Sequence, residues 1–144
     1  MIAGPEHKFS KLTFEMAILH SLAANVAVLD PNGEILAVNT SWERFAAANQ
    51  MHDTTMGIGA NYLDVYRTAR ADPNAHAALS GIIAVMKGHR ASFYHEYPCH
   101  SPSEQRWFAL RAAPLIDHPN LIAVSHEDIS DRIARETAQP PKEE

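Results

Sequence analysis

The feature that most limits what this chain can fold into is a pair of apolar, aromatic-bearing segments that run into a helix signal. The first is Arg106-Trp107-Phe108-Ala109-Leu110-Arg111-Ala112-Ala113-Pro114 and the second is Leu121-Ile122-Ala123-Val124-Ser125-His126-Glu127-Asp128-Ile129-Ser130. Between them lie the turn formers Asp117, Pro119 and Asn120. This pattern predicts two neighbouring antiparallel strands. The second leads into Asp128-Ile129-Ser130-Asp131-Arg132, where short polar side chains precede a helix-forming run. Asp and Ser suit an N-cap because their oxygens accept bonds from the orphan amides of a first turn. A strand joined directly to a capped helix is a mechanical joint, since a shift in the sheet re-aims whatever follows.

Upstream, the apolar positions of Phe9 to Leu22 fall into two helical stripes, Leu12/Met16/Leu19 and Phe14/Ile18/Leu22. That surface is wider than one core contact needs. Either the whole helix packs on its own sheet, or one stripe packs at home and the other against a second chain. Val26 to Leu29 and Ile35 to Val38, separated by Asp30-Pro31-Asn32-Gly33, predict a hairpin. Asn39 to Ala48 switches to helical spacing, with Asn39 or Thr40 as cap and Trp42, Phe45 and Ala46 pointing one way. Asn49 to Gly59 is irregular, and Ala60 to Arg70 predicts a short helix. Asp72-Pro73 opens the next helix, Asp as cap and Pro where a missing amide costs nothing. Leu79, Ile82, Ile83 and Met86 give it one apolar face, and Lys87-Gly88 ends it. Ala91 to Tyr97 reads as a strand, Pro98 to Glu104 as a polar loop, and a last helix from Ser130 stops before Pro140-Pro141.

Two strand groups separated by a helical block predict an α+β fold. The Trp-bearing strand ending in Pro-Leu, and the strand closing in Asp-Ile-Ser before a helix, resemble the end of a PAS domain. There the closing triplet is usually Asp-Ile-Thr, and Ser130 keeps the hydroxyl. The resemblance runs from about Leu19 to Glu136. It implies a five-stranded antiparallel sheet with helices packed on one face, plus flanking helices at both ends. The corresponding divisions are residues 1–22 for the N-terminal flanking helix, 23–129 for the core, and 130–144 for the C-terminal signalling helix and tail.

Period-two alternation separates Ile122/Val124/His126 from Leu121/Ala123/Ser125/Glu127, and Phe108/Leu110/Ala112 from Trp107/Ala109/Arg111. Similarity to the LOV photoreceptors of the same family chooses the faces: Phe108 and His126 look into the pocket, and Trp107 outward. On the outer face Glu96 and Arg111 are expected to pair across strands. The pocket residues implied are Trp42, Tyr62, Tyr66, Ile83, Phe93, His95, Phe108, Leu110, Val124 and His126, with Asp128 and Ser130 as the signal relay. Gly59-Ala60-Asn61-Tyr62 stands where those photoreceptors carry the Cys that bonds to flavin. Tyr62 cannot form that adduct, and Cys99 lies in the wrong segment.

Nine histidines raise the question of metal. His95-Glu96-Tyr97-Pro98-Cys99-His100 has one residue too many for the His-Glu-x-x-His zinc pattern and contains a Pro, while that chemistry needs a helix. His118, beside Pro119, reads as a solvated turn residue. Some PAS oxygen sensors carry a haem-ligating His on the helix that here holds His76; the plainer reading is a surface His beside Asn74. Haem and flavin gain no motif support, so the cofactor stays open. No phosphate-binding loop or nucleophile motif marks an enzyme. A small cone-shaped α+β isomerase or dehydratase is the competing class, and would use His126 with Asp64 or Tyr62 as acid and base.

The 144 residues suit one domain, and a net charge of -5 without a basic run argues against nucleic acid or anionic membrane as partner. One cysteine excludes an internal disulfide and fits a reducing cytoplasm. No run approaches membrane-spanning length. The expectation is a cytoplasmic, non-enzymatic sensory or interaction module of signal transduction. It would bind a small molecule or partner and act as a homodimer with an effector domain or partner protein.

Overall fold

The computed structural model describes residues 14–48, 57–69, 71–99 and 103–138. The leading stretch to residue 13, part of the Asn49 to Gly59 segment, Arg70, part of the Pro98 to Glu104 loop and the tail beyond Ala138 lie outside the described residues.

A helix over residues 14–21 (α1) leads into β1 (Asn25–Leu29) and β2 (Ile35–Val38). The hairpin turn forms because Asp30 Oδ1 accepts from the amides of Asn32 and Glu34, at 2.8 and 2.9 Å. Gly33 takes φ 93°, a left-handed conformation that a side chain resists. Next comes α2 (Thr40–Ala48). Of the two cap candidates, Asn39 takes the role and is fully buried. Its Oδ1 accepts from the Trp42 and Val26 amides at 2.9 and 3.0 Å. Its Nδ2 donates to the carbonyls of Ala24 and Leu19 at 2.9 and 3.2 Å. One side-chain amide thus ties the end of α1, the start of β1 and the first turn of α2. The Thr40 amide instead donates to His20 Nδ1 on α1, at 2.9 Å.

Asn61 caps α3 (Tyr62–Thr68), and Asp72 caps α4 (Pro73–Met86), with Gly88 left-handed after it at φ 78°. The buried face of α4 differs from the expected Leu79/Ile82/Ile83/Met86 stripe. Ala75, Ala78, Gly81, Ile82 and Val85 point inward, while Leu79, Ile83 and Met86 are half-buried at its flanks. Close approach explains this: a Cβ on Gly81 would lie 2.1 Å from the Phe93 ring. Small residues let the helix axis come near the sheet, and the large ones move to its sides.

The remaining strands are β3 (Phe93–Pro98), β4 (Trp107–Leu115) and β5 (His118–Asp128). All pairings are antiparallel, in the order β2-β1-β5-β4-β3. The sheet is therefore the five-stranded antiparallel one expected. The β4–β5 turn is tighter than the sequence implied: Asp117 alone takes a left-handed φ of 67°, and Pro119 and Asn120 belong to β5. Pro near a strand start removes an amide where the ladder is least affected. His118 is exposed, as a strand residue rather than a turn residue.

The inner sheet face carries Ala27, Leu29, Phe93, Leu110, Ala112, Ile122 and Val124, which form one core with Trp42, Tyr62, Leu63, Ala78, Ile82 and Val85 of the helices. On the other face α5 (Ser130–Ala138) follows β5 after one residue. Glu96 does not pair with Arg111, because the register sets Glu96 opposite Ala109 and Arg111 opposite Tyr94. Arg111 lies over the Tyr94 ring at 4.6 Å, and Glu96 accepts instead from Arg132 of α5 at 2.5 Å.

Candidate functional site

Between the inner sheet face and the helical block lies a cavity of about 260 Å³. The sheet contributes Asn25 from β1, Tyr97 and Pro98 from β3, Leu110 from β4 and His126 from β5. The helices contribute Trp42, Phe45 and Ala46 from α2, Tyr62, Val65 and Tyr66 from α3, and Asn74, Ala75 and Ala78 from α4. Ala69, Asp72 and Cys99 complete the wall. Most of this lining is apolar, so the polar groups that face it carry the chemistry.

Four of them, Tyr66, Tyr62, His126 and Tyr97, form a chain, and Asn25, Asp72 and Asn74 stand outside it. Alternation along β5 turns His126 inward with Ile122 and Val124, and the first residue of α3 brings Tyr62 to meet it. Tyr62 Oη lies 2.5 Å from His126 Nε2 and 2.6 Å from Tyr66 Oη. The spacing of four residues places both phenols on one face of α3. From β3, Tyr97 Oη lies 2.6 Å from His126 Nδ1. Trp42 closes one side, its ring 5.8 Å from that of Tyr62 and 5.9 Å from that of His126.

Burial keeps all four neutral at physiological pH. Loss of solvent lowers the His126 pKa from 6.5 to about 4. It raises Tyr66 from 10.0 to about 12, and raises Tyr62 and Tyr97 well above the ordinary phenol value. Neighbouring phenols add to the effect on Tyr62 and Tyr97. A neutral chain can orient a polar ligand group or order protons. It has no charge with which to neutralise an ion.

Of the ten residues assigned to the pocket from sequence, Trp42, Tyr62, Tyr66, Leu110 and His126 line the cavity together. The other five lie beside it. Phe108 is buried behind the wall, its ring 5.4 Å from that of Phe45 and 6.0 Å from that of Tyr97. Phe93 and Val124 are core residues, the first taken up by Gly81 of α4. Ile83 is on the flank of α4, where the small-residue face displaces it. His95 donates from Nε2 to Asn74 Oδ1 at 3.1 Å and stacks between Phe93 and Tyr97. Residues absent from that assignment include Tyr97, Phe45 and Ala46. Period two from Phe93 and His95 reaches Tyr97, and the helical face of Trp42 already included Phe45 and Ala46.

His76 is exposed on the first turn of α4 and does not line the cavity, so it is not placed to ligate a haem there. Among the described residues, no group of three or more His, Cys, Asp or Glu is arranged to hold a metal ion. Of the two partners an isomerase would pair with His126, Asp64 faces solvent and pairs with Arg67 at 2.9 Å, while Tyr62 Oη lies 2.5 Å from His126 Nε2. At the relay positions, Asp128 Oδ1 accepts from the Ser130 amide and Ser130 Oγ accepts from the Trp107 amide, both at 2.9 Å. The start of α5 is thereby fastened to β4 as well as β5.

A family model described as the PAS fold matches residues 19–134. The chain belongs to the PAS family. PAS relatives are sensory modules of signal transduction and are in general not catalytic, which favours that class over the cone-shaped enzymes. An uncharacterised 104.1 kDa protein from the hypE 3′ region of Rhodobacter capsulatus is 40% identical over an alignment of 118 residues that covers 79% of this chain. The PAS domain spans 12% of that protein's length. Among solved structures, the PAS domain of Bordetella pertussis BvgS aligns with TM-score 0.57 at 13% identity, covering 89% of this chain and 94% of that one. The PAS domain of the Cronobacter turicensis quorum-sensing receptor RpfR, in complex with C12:0, aligns with TM-score 0.52 at 19% identity, covering 76% and 96%. These structural likenesses bear on the fold. Among the described residues, no helix of this PAS domain is long and apolar enough to cross a membrane.

Proposed function

We propose that this PAS domain holds a small molecule in the cavity and passes its presence to α5 as a cytoplasmic signalling module. The observation that carries this is the cavity of about 260 Å³, apolar over most of its wall, with the Tyr66–Tyr62–His126–Tyr97 chain facing it. Pockets that take small ligands have this character, a hydrophobic lining with a few convergent polar groups. At about 30 Å³ per water, the space equals roughly nine waters, or a compact ligand. The RpfR PAS domain, in complex with C12:0, is a PAS-fold example with a bound molecule.

Two strands supply the route outward. On β3, Tyr97 faces the cavity and its neighbour Glu96 holds Arg132 of α5. On β5, His126 faces the cavity two residues before Asp128, which caps α5. A ligand that displaces Tyr97 or His126 therefore acts on strand positions adjoining two of the attachments of the helix. Partners in this reading are a second copy of the chain, through the exposed side of α1, and an effector domain or protein that receives the motion of α5.

Mass spectrometry of material released from the purified protein, with ligand-induced changes in Tm, tests the proposal. A compact molecule is expected to co-purify or to raise Tm. His126→Leu and Tyr62→Phe are expected to weaken its retention while circular dichroism stays unchanged. Full retention in both variants would remove the chain from the site, and a protein that neither releases nor binds any small molecule would refute the cavity's role.

A further inference from the structure

The proton count of the chain inside the cavity limits what the cavity can hold, an inference that rests on the reading of that cavity as a ligand site. Three hydrogen bonds join Tyr66, Tyr62, His126 and Tyr97, and each bond uses one proton. The four neutral groups hold four: one on each phenol and one on the ring. One donor is left over.

The position of the ring proton decides where. With the proton on Nδ1, the ring donates to Tyr97 and accepts from Tyr62, which accepts from Tyr66. The spare hydroxyl proton is then on Tyr97. With the proton on Nε2, every bond reverses, and the spare donor is on Tyr66. Both phenols line the cavity, so either state presents one hydroxyl donor to it. Reversal balances without net charge. Tyr97 passes its proton to Nδ1 and takes one from water; Nε2 passes its proton to Tyr62, Tyr62 passes its own to Tyr66, and Tyr66 returns one to water.

We infer that the ligand is an uncharged, largely apolar molecule bearing a hydrogen-bond acceptor, such as a carbonyl, and that binding fixes His126 in the tautomer whose spare donor meets it. Charge on the wall argues the same way. Among the described residues no Lys or Arg lines the cavity, and Arg106, over the Phe45 and Phe108 rings at 5.9 and 5.8 Å, donates to the Cys99 carbonyl. An anion would meet a neutral chain and Asp72, the one carboxylate among the described residues of the wall. A cation would meet phenols that burial keeps from ionising, and an Asp72 carboxylate that is exposed and already accepts from the Asn74 amide.

The test uses the full chain at pH 7 with four probes of matched length: n-octane, 2-octanone, octanoate and octylammonium. Affinities come from calorimetry or ligand NMR, and the His126 tautomer from its ring ¹⁵N shifts. 2-Octanone is expected to bind about three- to tenfold more tightly than n-octane, the worth of one net hydrogen bond, with both ions weaker. Its complex is expected to show one tautomer. An Nδ1-protonated ring should be matched by loss of the ketone's advantage in Tyr97→Phe, and an Nε2-protonated ring by its loss in Tyr66→Phe. Equal binding of ketone and alkane, tighter binding of either ion, or a tautomer mismatched to the sensitive tyrosine would overturn the inference while leaving the cavity a ligand site. Failure of all four probes to bind would overturn both.

Discussion

His126 has both ring nitrogens committed to phenols and lies where an imidazolium is poorly solvated. Its charge state must therefore couple to folding. The folded pKa is about 4, below the ordinary 6.5, because burial disfavours the charged ring. As pH falls, the unfolded chain takes up the proton first. Stability from this residue is fully present above pH 6.5, declines between 6.5 and about 4, and stops changing below that. The whole effect is about 3 kcal/mol. Tyr62, Tyr66 and Tyr97 face the ring from α3 and β3 and stay neutral throughout this window. Urea titrations from pH 7 to pH 4 are expected to show wild type losing about 3 kcal/mol more than His126→Gln. Parallel pH profiles would show that the ring charges without cost to the fold.

At the scale of elements, the distance of α4 from the sheet is set by one residue. Gly81 lies against Phe93, and a Cβ there would have to displace the ring. In most helix interiors Gly→Ala stabilises by supplying a better helix former. Here overpacking outweighs propensity, and Gly81→Ala is expected to destabilise by about 1–3 kcal/mol in chemical denaturation. The paired variant Gly81→Ala/Phe93→Leu, which gives the methyl group room, should recover part of the loss. A stabilised single variant would mean that the helix can move off the sheet freely. The same contact governs the cavity, since Ala75 and Ala78 of that helix form part of its wall.

At the scale of the whole molecule, α1 is held to the core at its C-terminal end, while residues 14–18 are all exposed. Leu19 and Leu22 carbonyls accept bonds from Asn39 and Ser41, and His20 accepts from Thr40. Phe14 and Ile18 remain 66% and 50% exposed, with Met16 and Leu22 also exposed. A second copy of the chain would cover that row. Wild type is expected to sediment as a dimer, and Phe14→Glu/Ile18→Glu, which touches none of the described anchoring bonds, as a monomer with an unchanged circular dichroism spectrum. Identical sedimentation of the two proteins would place any association elsewhere.

Local chemistry in the sequence accounts for much of this domain. Asp30 to Gly33 can hardly do other than turn, Asp72-Pro73 and Gly88 bound a helix, and period two in β5 turns His126 inward with Ile122 and Val124. The order of those elements, with the Trp107 strand and Asp128-Ile129-Ser130, carried the likeness to the PAS family that the family match bears out. What tertiary structure decided was distance. Sequence spacing put Ile82 and Ile83 on one apolar face of α4, but the approach of Gly81 to Phe93 buries the first and leaves the second at the flank. Glu96 and Arg111 were plausible partners by composition, and strand register sent Glu96 to Arg132, 36 residues away. The union of Tyr97 with His126 and Tyr62 likewise spans separate elements, 29 and 64 residues apart in the chain for the two bonds to the ring. Periodicity specifies which way a side chain points from its own element; only the packing of elements against one another specifies what it meets.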